Sequence, residues 1–102
     1  MRTYPIQDDA GVLFAFEVRA LLLCGRFASK LGRLPGVSDV RPRRRFAGSS
    51  DVHIRFLYRG RAFIVWEPYA DNSRWWIGPE DSSPPHSSIA ELERAVAGIS
   101  AW

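Results

Sequence analysis

The sequence has little cysteine and histidine, and it has no long hydrophobic run. Its one cysteine, Cys24, excludes an internal disulfide, and a chain of 102 residues can hold a core without one. Because His53 and His86 are its only histidines, a conventional zinc site would need distant segments to meet, so we expect neither a metal nor a cofactor. The densest apolar stretches, 12–16 and 20–24, are much shorter than the roughly 20 residues of a membrane span. We therefore expect a soluble, cytoplasmic protein with no membrane partner.

The composition is typical of one folded domain. Hydrophobic residues make up 46% of the chain and charged residues 25%, which is the balance of a globular protein and not of a disordered one. Neither an internal repeat nor a linker divides the sequence, since its one stretch rich in proline and serine, 80–87, is short. We expect a single domain over residues 1–102.

Charge is unevenly distributed along the chain. The net charge is +3 at pH 7, but residues 1–62 carry 12 basic and 5 acidic side chains, a net +7, whereas residues 63–102 carry 2 basic and 6 acidic, a net −4. All the basic residues except Lys30 are arginines. A chain with two oppositely charged parts can steer an anionic partner to one face, or let two copies pair head to tail.

Several stretches away from the centre of the sequence predict strands. Residues 3–6 and 12–18 flank a cluster of turn formers that ends in Gly11, which predicts an N-terminal β-hairpin. Residues 37–46 contain a proline and end in a run of arginines, which is typical of an edge strand. Residues 74–77 predict a short last strand.

The clearest pattern is a second hairpin, in which residues 52–58 and 61–66 flank Arg59-Gly60. A two-residue loop pairs Phe56 with Phe63 and places aromatic and β-branched residues together on one face. A three-residue loop would instead place Ile64 and Trp66 on that face, beside Ile54 and Phe56. We favour the two-residue loop, which leaves on the opposite face His53, Arg55, Leu57, Ile64 and Trp66.

Two amphipathic helices complete the pattern. Apolar residues recur at steps of three and four over residues 20–34 and again over 88–99. The second helix is expected to begin with a capping box formed by Ser88 and Glu91.

The expected fold is α+β. It consists of an N-terminal β-hairpin, a helix, an antiparallel meander of three or four strands and a C-terminal helix, with both helices on one face of a single sheet. An antiparallel sheet of this kind can leave its other face to solvent. That face carries more apolar residues than a solvated surface needs, which indicates an interaction site.

The segment from Glu67 to Trp76 has the highest density of side chains that could bind a ligand or transfer a proton. Two carboxylates, an arginine and aromatic walls predict a site for a small polar ligand, or acid–base chemistry if burial shifts a pKa. The simpler interpretation is a turn in which Arg74 pairs with Glu67. The candidate ligand-binding residues are Glu67, Tyr69, Asp71, Asn72, Ser73, Arg74 and Trp76.

Arginines form the sharpest local charge cluster. The planar guanidinium binds phosphates through two parallel hydrogen bonds, so the cluster predicts a nucleic-acid or anion site as an alternative. The simpler interpretation is a solvated edge strand that its charge protects from aggregation. The residues of the alternative site are Arg41, Arg43, Arg44, Arg45, Arg55, Arg59 and Arg61.

Nucleophilic catalysis is not indicated. Ser49, Ser50, Asp51 and His53 are the residue types of a triad, but in an extended segment their side chains point to opposite faces. No catalytic residue is assigned, and an enzyme is the less favoured class.

Three functions follow, in order of preference. The leading hypothesis is a small, bacterial-type, non-enzymatic interaction module that binds a protein partner or a second copy of itself, as a homodimer, through the open sheet face and the loop 67–76. The alternative is nucleic-acid binding through the arginine cluster, which is not favoured. The third is a small-ligand-binding protein or enzyme centred on Glu67, Asp71 and Arg74.

Overall fold

The structure is a computed structural model, and it describes most of the chain. It has six strands and two helices, so the α+β class is confirmed. The N-terminal hairpin and a three-strand meander would give five strands, and the sheet has one more than that. The described residues are 1–19, 24–42, 52–67, 74–81 and 87–99. The elements are β1 (Thr3–Gln7), β2 (Leu13–Arg19), α1 (Cys24–Leu31), β3 (Val37–Pro42), β4 (Val52–Tyr58), β5 (Arg61–Trp66), β6 (Arg74–Pro79) and α2 (Ser87–Ala97).

All six strands form one antiparallel sheet in the order β1-β2-β6-β5-β4-β3. The N-terminal hairpin therefore joins the meander through β2 and β6, where Phe16 lies opposite Ile77. Both edge strands contain a proline, Pro5 in β1 and Pro42 in β3. Proline has no N–H to donate, so each edge is poorly suited to pairing with a further strand.

The central hairpin has the predicted two-residue loop. Phe56 pairs with Phe63 and Ile54 pairs with Val65 across β4 and β5. Arg59 and Gly60 between them have φ angles of 50° and 81°, which are the two positive values that a type I′ turn requires. Local turn chemistry thus decides which residues of β5 face the core.

Both helices lie on the same face of the sheet. Helix α1 packs against β3 and β4, and α2 packs against β1 and β2. The predicted apolar stripe of α2 is confirmed, since Ile89, Leu92 and Val96 are fully buried. No described residue belongs to a helix that could span a membrane. The sheet side of the core is formed by Phe16, Val18, Ile54, Phe56, Tyr58, Phe63, Val65, Trp75 and Ile77.

Helix α2 is tied to the central hairpin by Glu91. This carboxylate accepts hydrogen bonds from the Tyr58 hydroxyl at 3.0 Å and from Nε of Arg59 at 2.7 Å. The hydrogen bond from Tyr58, and then the one from Arg59, lowers the pKa of Glu91. The helix begins at Ser87, and Glu91 contacts the hairpin instead of forming the predicted capping box with Ser88, which corrects that prediction.

The opposite end of α2 is contacted by Met1. The ammonium group of Met1 donates hydrogen bonds to the carbonyl oxygens of Ala97 at 2.9 Å and Ile99 at 2.7 Å. Ala97 is the last residue of α2 and Ile99 lies just beyond it, at the end of the helix where the dipole favours a positive charge. The contact therefore holds edge strand β1 against α2.

Candidate functional site

The sheet face away from the helices carries a line of large side chains. Tyr4 lies opposite Glu17, Glu17 opposite Trp76, and Trp76 opposite Trp66, so these four residues cross β1, β2, β6 and β5. We call them the aromatic row. The two indoles meet edge to face, with centroids 5.8 Å apart and an interplanar angle of 78°, and Trp66 is 37% exposed. Two tryptophans therefore lie outside the core, on the open face.

Trp76 is fixed in place by a glycine of its own strand. A Cβ atom built on Gly78 would lie 2.5 Å from Cη2 of Trp76, so the indole occupies the space that a side chain would take. Phe16 lies opposite Ile77, so the next step of the ladder places Ala15 opposite Gly78 on the open face, where Ala15 is completely buried. Small residues beside Trp76 therefore let the indole lie close to the sheet, and its orientation is set before any partner binds.

Arg74 spans three strands of the open face. Its guanidinium lies 3.9 Å from the centre of the Tyr4 ring, and its Nη1 is 3.5 Å from Oε1 of Glu17. Glu17 is only 7% exposed, so its charge is compensated by Arg74 where water cannot fully reach it. The predicted pairing of Arg74 with Glu67 is wrong, because β6 pairs with β2 and brings Arg74 beside Glu17. The predicted turn itself, at residues 71–73, lies outside the described residues.

Glu67 lies on the helix side of the sheet, where it contacts His53. Oε1 of Glu67 is 2.8 Å from Nε2 of His53, and the two side chains are 14% and 15% exposed. The His53 ring packs against the edge of Trp75, which itself contacts Phe27 of α1. His53 was expected on the open face; it is turned to the helix side because the register of β4 shifts immediately before Ile54.

The predicted ligand-binding set is divided between the two faces. Glu67 lies on the helix side, whereas Arg74 and Trp76 lie on the open face. The described members of the set therefore do not face a common cavity. The remaining candidates lie outside the described residues: Tyr69, Asp71, Asn72 and Ser73.

The predicted arginine cluster is largely compensated by acidic residues. Each of its four described members has a carboxylate within 4.0 Å, and the other three, Arg43, Arg44 and Arg45, lie outside the described residues. Such pairs leave little uncompensated charge for a phosphate backbone. The pairs are Arg41 with Asp39, Arg55 with Glu80, Arg59 with Glu91, and Arg61 with Asp81.

A pocket opens at the other end of the open face, between β3, β4 and β5. Leu57 and Ala62 contribute its apolar lining, and the ion pairs of Arg41 and Arg55 lie around them. An apolar floor with a polar rim is the usual anatomy of a protein interface. The described part of the chain contains no group of three His, Cys, Asp or Glu side chains that could hold a metal ion.

Sequence reasoning missed several contributors to the open face, among them Tyr4, Glu17, Arg19 and Gly78. Their proximity depends on the pairing of β2 with β6, which joins segments about sixty residues apart in sequence. The doublet Trp75-Trp76 was the available signal, because alternation in a strand sends one indole to the core and the other to the opposite face.

No protein-family model, curated protein or solved structure matches this chain.

Proposed function

We propose that this chain is a non-enzymatic interaction module that binds a protein partner through the open face of its sheet. The observation that carries the proposal is the pair Trp66 and Trp76, which lies on the face that the helices leave uncovered. Tryptophan is the residue type most enriched among the hot spots of protein interfaces. A partner that covers the pair would remove a large apolar area from water at little cost in side-chain entropy, because Trp76 is already fixed over Gly78.

The closed edges of the sheet favour binding at the face. A partner strand added to β1 or β3 would meet Pro5 or Pro42, neither of which has an N–H to donate. In β3 the backbone also leaves the ladder between Ser38 and Arg41, with Asp39 at a φ of 50°. The face, with its rigid aromatic centre, is therefore the better docking surface.

The arrangement of titratable groups favours binding over catalysis. Acid–base catalysis needs its groups within hydrogen-bonding reach of one substrate. Glu67 is bonded to His53 on the helix side, and Arg74 is bonded to Glu17 on the open face. Nucleic-acid binding is less well supported, because the described arginines of the predicted cluster are paired with carboxylates.

A photocrosslinking amino acid at Ile64 tests the proposal. Ile64 lies opposite Gly78 on the open face, and the matched control carries the same crosslinker at Arg26, which is exposed on α1. Both proteins are irradiated in an extract of the source cells. The expected result is a protein crosslinked from Ile64 and not from Arg26. A product of twice the 11.5 kDa chain mass would identify the partner as a second copy.

The crosslinked protein is then purified and titrated against the wild type, Trp66→Ala and Arg26→Ala. Loss of the exposed indole is expected to weaken binding by about thirtyfold or more, because truncation of a hot-spot tryptophan costs about 2 kcal/mol or more. Arg26→Ala is expected to bind as the wild type does. Equal affinity of Trp66→Ala and the wild type would overturn the proposal.

A further inference from the structure

Three arginines lie in line across the open face, beside the aromatic row. Arg19 of β2 is directly opposite Arg74 of β6. On the other side of β2, Val18 pairs with Thr3 of β1. One further step of this antiparallel ladder places Arg2 opposite Arg19. We call Arg2, Arg19 and Arg74 the arginine row.

The arginine row has an excess of positive charge. Glu17 pairs with Arg74, but no carboxylate of the described residues forms an ion pair with Arg2 or Arg19. Like charges directly opposite each other in a sheet are destabilising. Three guanidinium groups with one carboxylate therefore form a site whose charge an added anion would balance.

Two of the three guanidinium groups, those of Arg2 and Arg74, are preorganised by Tyr4. The guanidinium of Arg74 stacks 3.9 Å from the Tyr4 ring centre, and the guanidinium of Arg2 lies 5.5 Å from the same centre. The buried carboxylate of Glu17 forms an ion pair with Arg74. A guanidinium that is already fixed loses less entropy when it binds a planar oxyanion, and its fork matches the two oxygens of a carboxylate.

We infer that the arginine row is an anion subsite that takes a carboxylate side chain of the protein partner, while an apolar side chain next to that carboxylate packs on Trp66 and Trp76. This inference rests on the proposed function and adds the chemistry of the partner: an acidic residue beside an aromatic or aliphatic one. Neither Arg2 nor Arg19 belonged to any predicted site. The pairing of β2 with β6 brings Arg19 and Arg74 together.

The extent of the charge favours a protein carboxylate over a nucleic-acid strand. The row crosses three strands, a width of about 10 Å at the usual strand spacing, which suits one or two carboxylates. A nucleic-acid strand needs a basic track along its backbone. Farther along the face, Arg55 and Arg41 are paired with Glu80 and Asp39, so the track does not continue across the described residues.

The test uses two matched small probes and the intact chain. 3-Phenylpropionate has a carboxylate next to an aromatic ring, and 3-phenylpropanamide has the same shape without charge. Each is titrated while the arginine Nε–H and tryptophan Nε1–H signals are followed by NMR. Arg19→Gln removes one charge at an exposed position, and Arg33→Gln, exposed in the turn after α1, is the control.

We expect the propionate to shift the signals of Arg19, Arg74, Trp66 and Trp76 at millimolar concentration, and the amide to bind at least about fivefold more weakly. We expect Arg19→Gln to reduce propionate affinity by about fivefold, because it removes a charge-assisted contact, and Arg33→Gln to leave it unchanged. Equal binding of propionate and amide would overturn the inference. So would shifts spread equally over arginines outside the row.

An oligothymidylate of eight nucleotides is titrated in parallel. If it binds more tightly than the propionate and loses affinity in Arg19→Gln, the subsite serves nucleic acid and the inference is overturned. Failure of the inference and failure of the proposed function are distinguishable. A partner whose binding depends on Trp66 but not on Arg19 would keep the interaction module and exclude the anion subsite.

Discussion

The indole of Trp76 packs onto Gly78, two residues further along β6, so closely that a methyl group at Gly78 would lie 2.5 Å from Cη2 of the indole. No positive φ accompanies this glycine, so the requirement comes from the tryptophan and not from the backbone. Replacement of Gly78 therefore acts on the aromatic row directly.

Gly78→Ala is expected to displace the Trp76 indole and lower the free energy of unfolding by about 1–3 kcal/mol, as other overpacked sites do. Urea denaturation measures the loss, and tryptophan fluorescence reports the new environment of the ring. Gly25→Ala in α1 is the control, since a Cβ there meets no atom within 4 Å and alanine favours a helix. If the two variants have equal stability, Trp76 does not need the glycine.

Glu17→Gln is expected to lower the free energy of unfolding by about 1–2 kcal/mol, because it leaves three arginines of the open face without their carboxylate. Added salt screens the repulsion among them, so the variant should recover more stability between low and high salt than the wild type does. Urea denaturation at two ionic strengths measures both effects. Glu93→Gln on α2 is the control, and an equal salt response in both variants would contradict the charge imbalance.

Glu91 is expected to make stability depend on acid pH. Its pKa in the folded protein is lowered below the ordinary value of 4.5, first by the hydrogen bond from Tyr58 and then by the one from Arg59. The contribution of the carboxylate is therefore fully present at neutral pH and is lost as the pH falls below 4.5 through the lowered value.

The measurement is denaturation of the wild type, Glu91→Gln and Tyr58→Phe at pH 7 and at pH 3. The difference in unfolding free energy between the wild type and Glu91→Gln should be larger at pH 7. Tyr58→Phe removes the largest cause of the lowered pKa, so it should lose less stability on acidification than the wild type. A difference between the wild type and Glu91→Gln that does not change with pH would show that the negative charge of Glu91 does not stabilise the contact between α2 and the hairpin.

Local chemistry explains which parts of the fold could be predicted. Arg59-Gly60 specifies its turn type within two residues, and that turn sets the register of β4 and β5. The helix stripes likewise depend on spacing within one element. These features needed no knowledge of distant segments, so the sequence was sufficient for them.

The site depended on information that is not local. Pairing of β2 with β6 brings Glu17 to Trp76 and Arg19 to Arg74. The alternating pattern of β2 does not indicate which other strand it pairs with. His53 shows a second reason. One extra residue in a ladder reverses the face of a side chain, and nothing in an alternating pattern marks where such an extra residue falls.

The contact of Met1 with the C-terminal end of α2 ties the first described element of the chain to the last one. Strand β1 has a sheet neighbour on one side only, and it carries Tyr4, the platform for Arg74. When β1 detaches, α2 loses the cation at its carbonyl end and Arg74 loses its stacking partner in the same event. Amide protons of β1 and α2 should therefore exchange with solvent at a common opening free energy, and a partner bound over Tyr4 should slow exchange in a helix on the far side of the sheet.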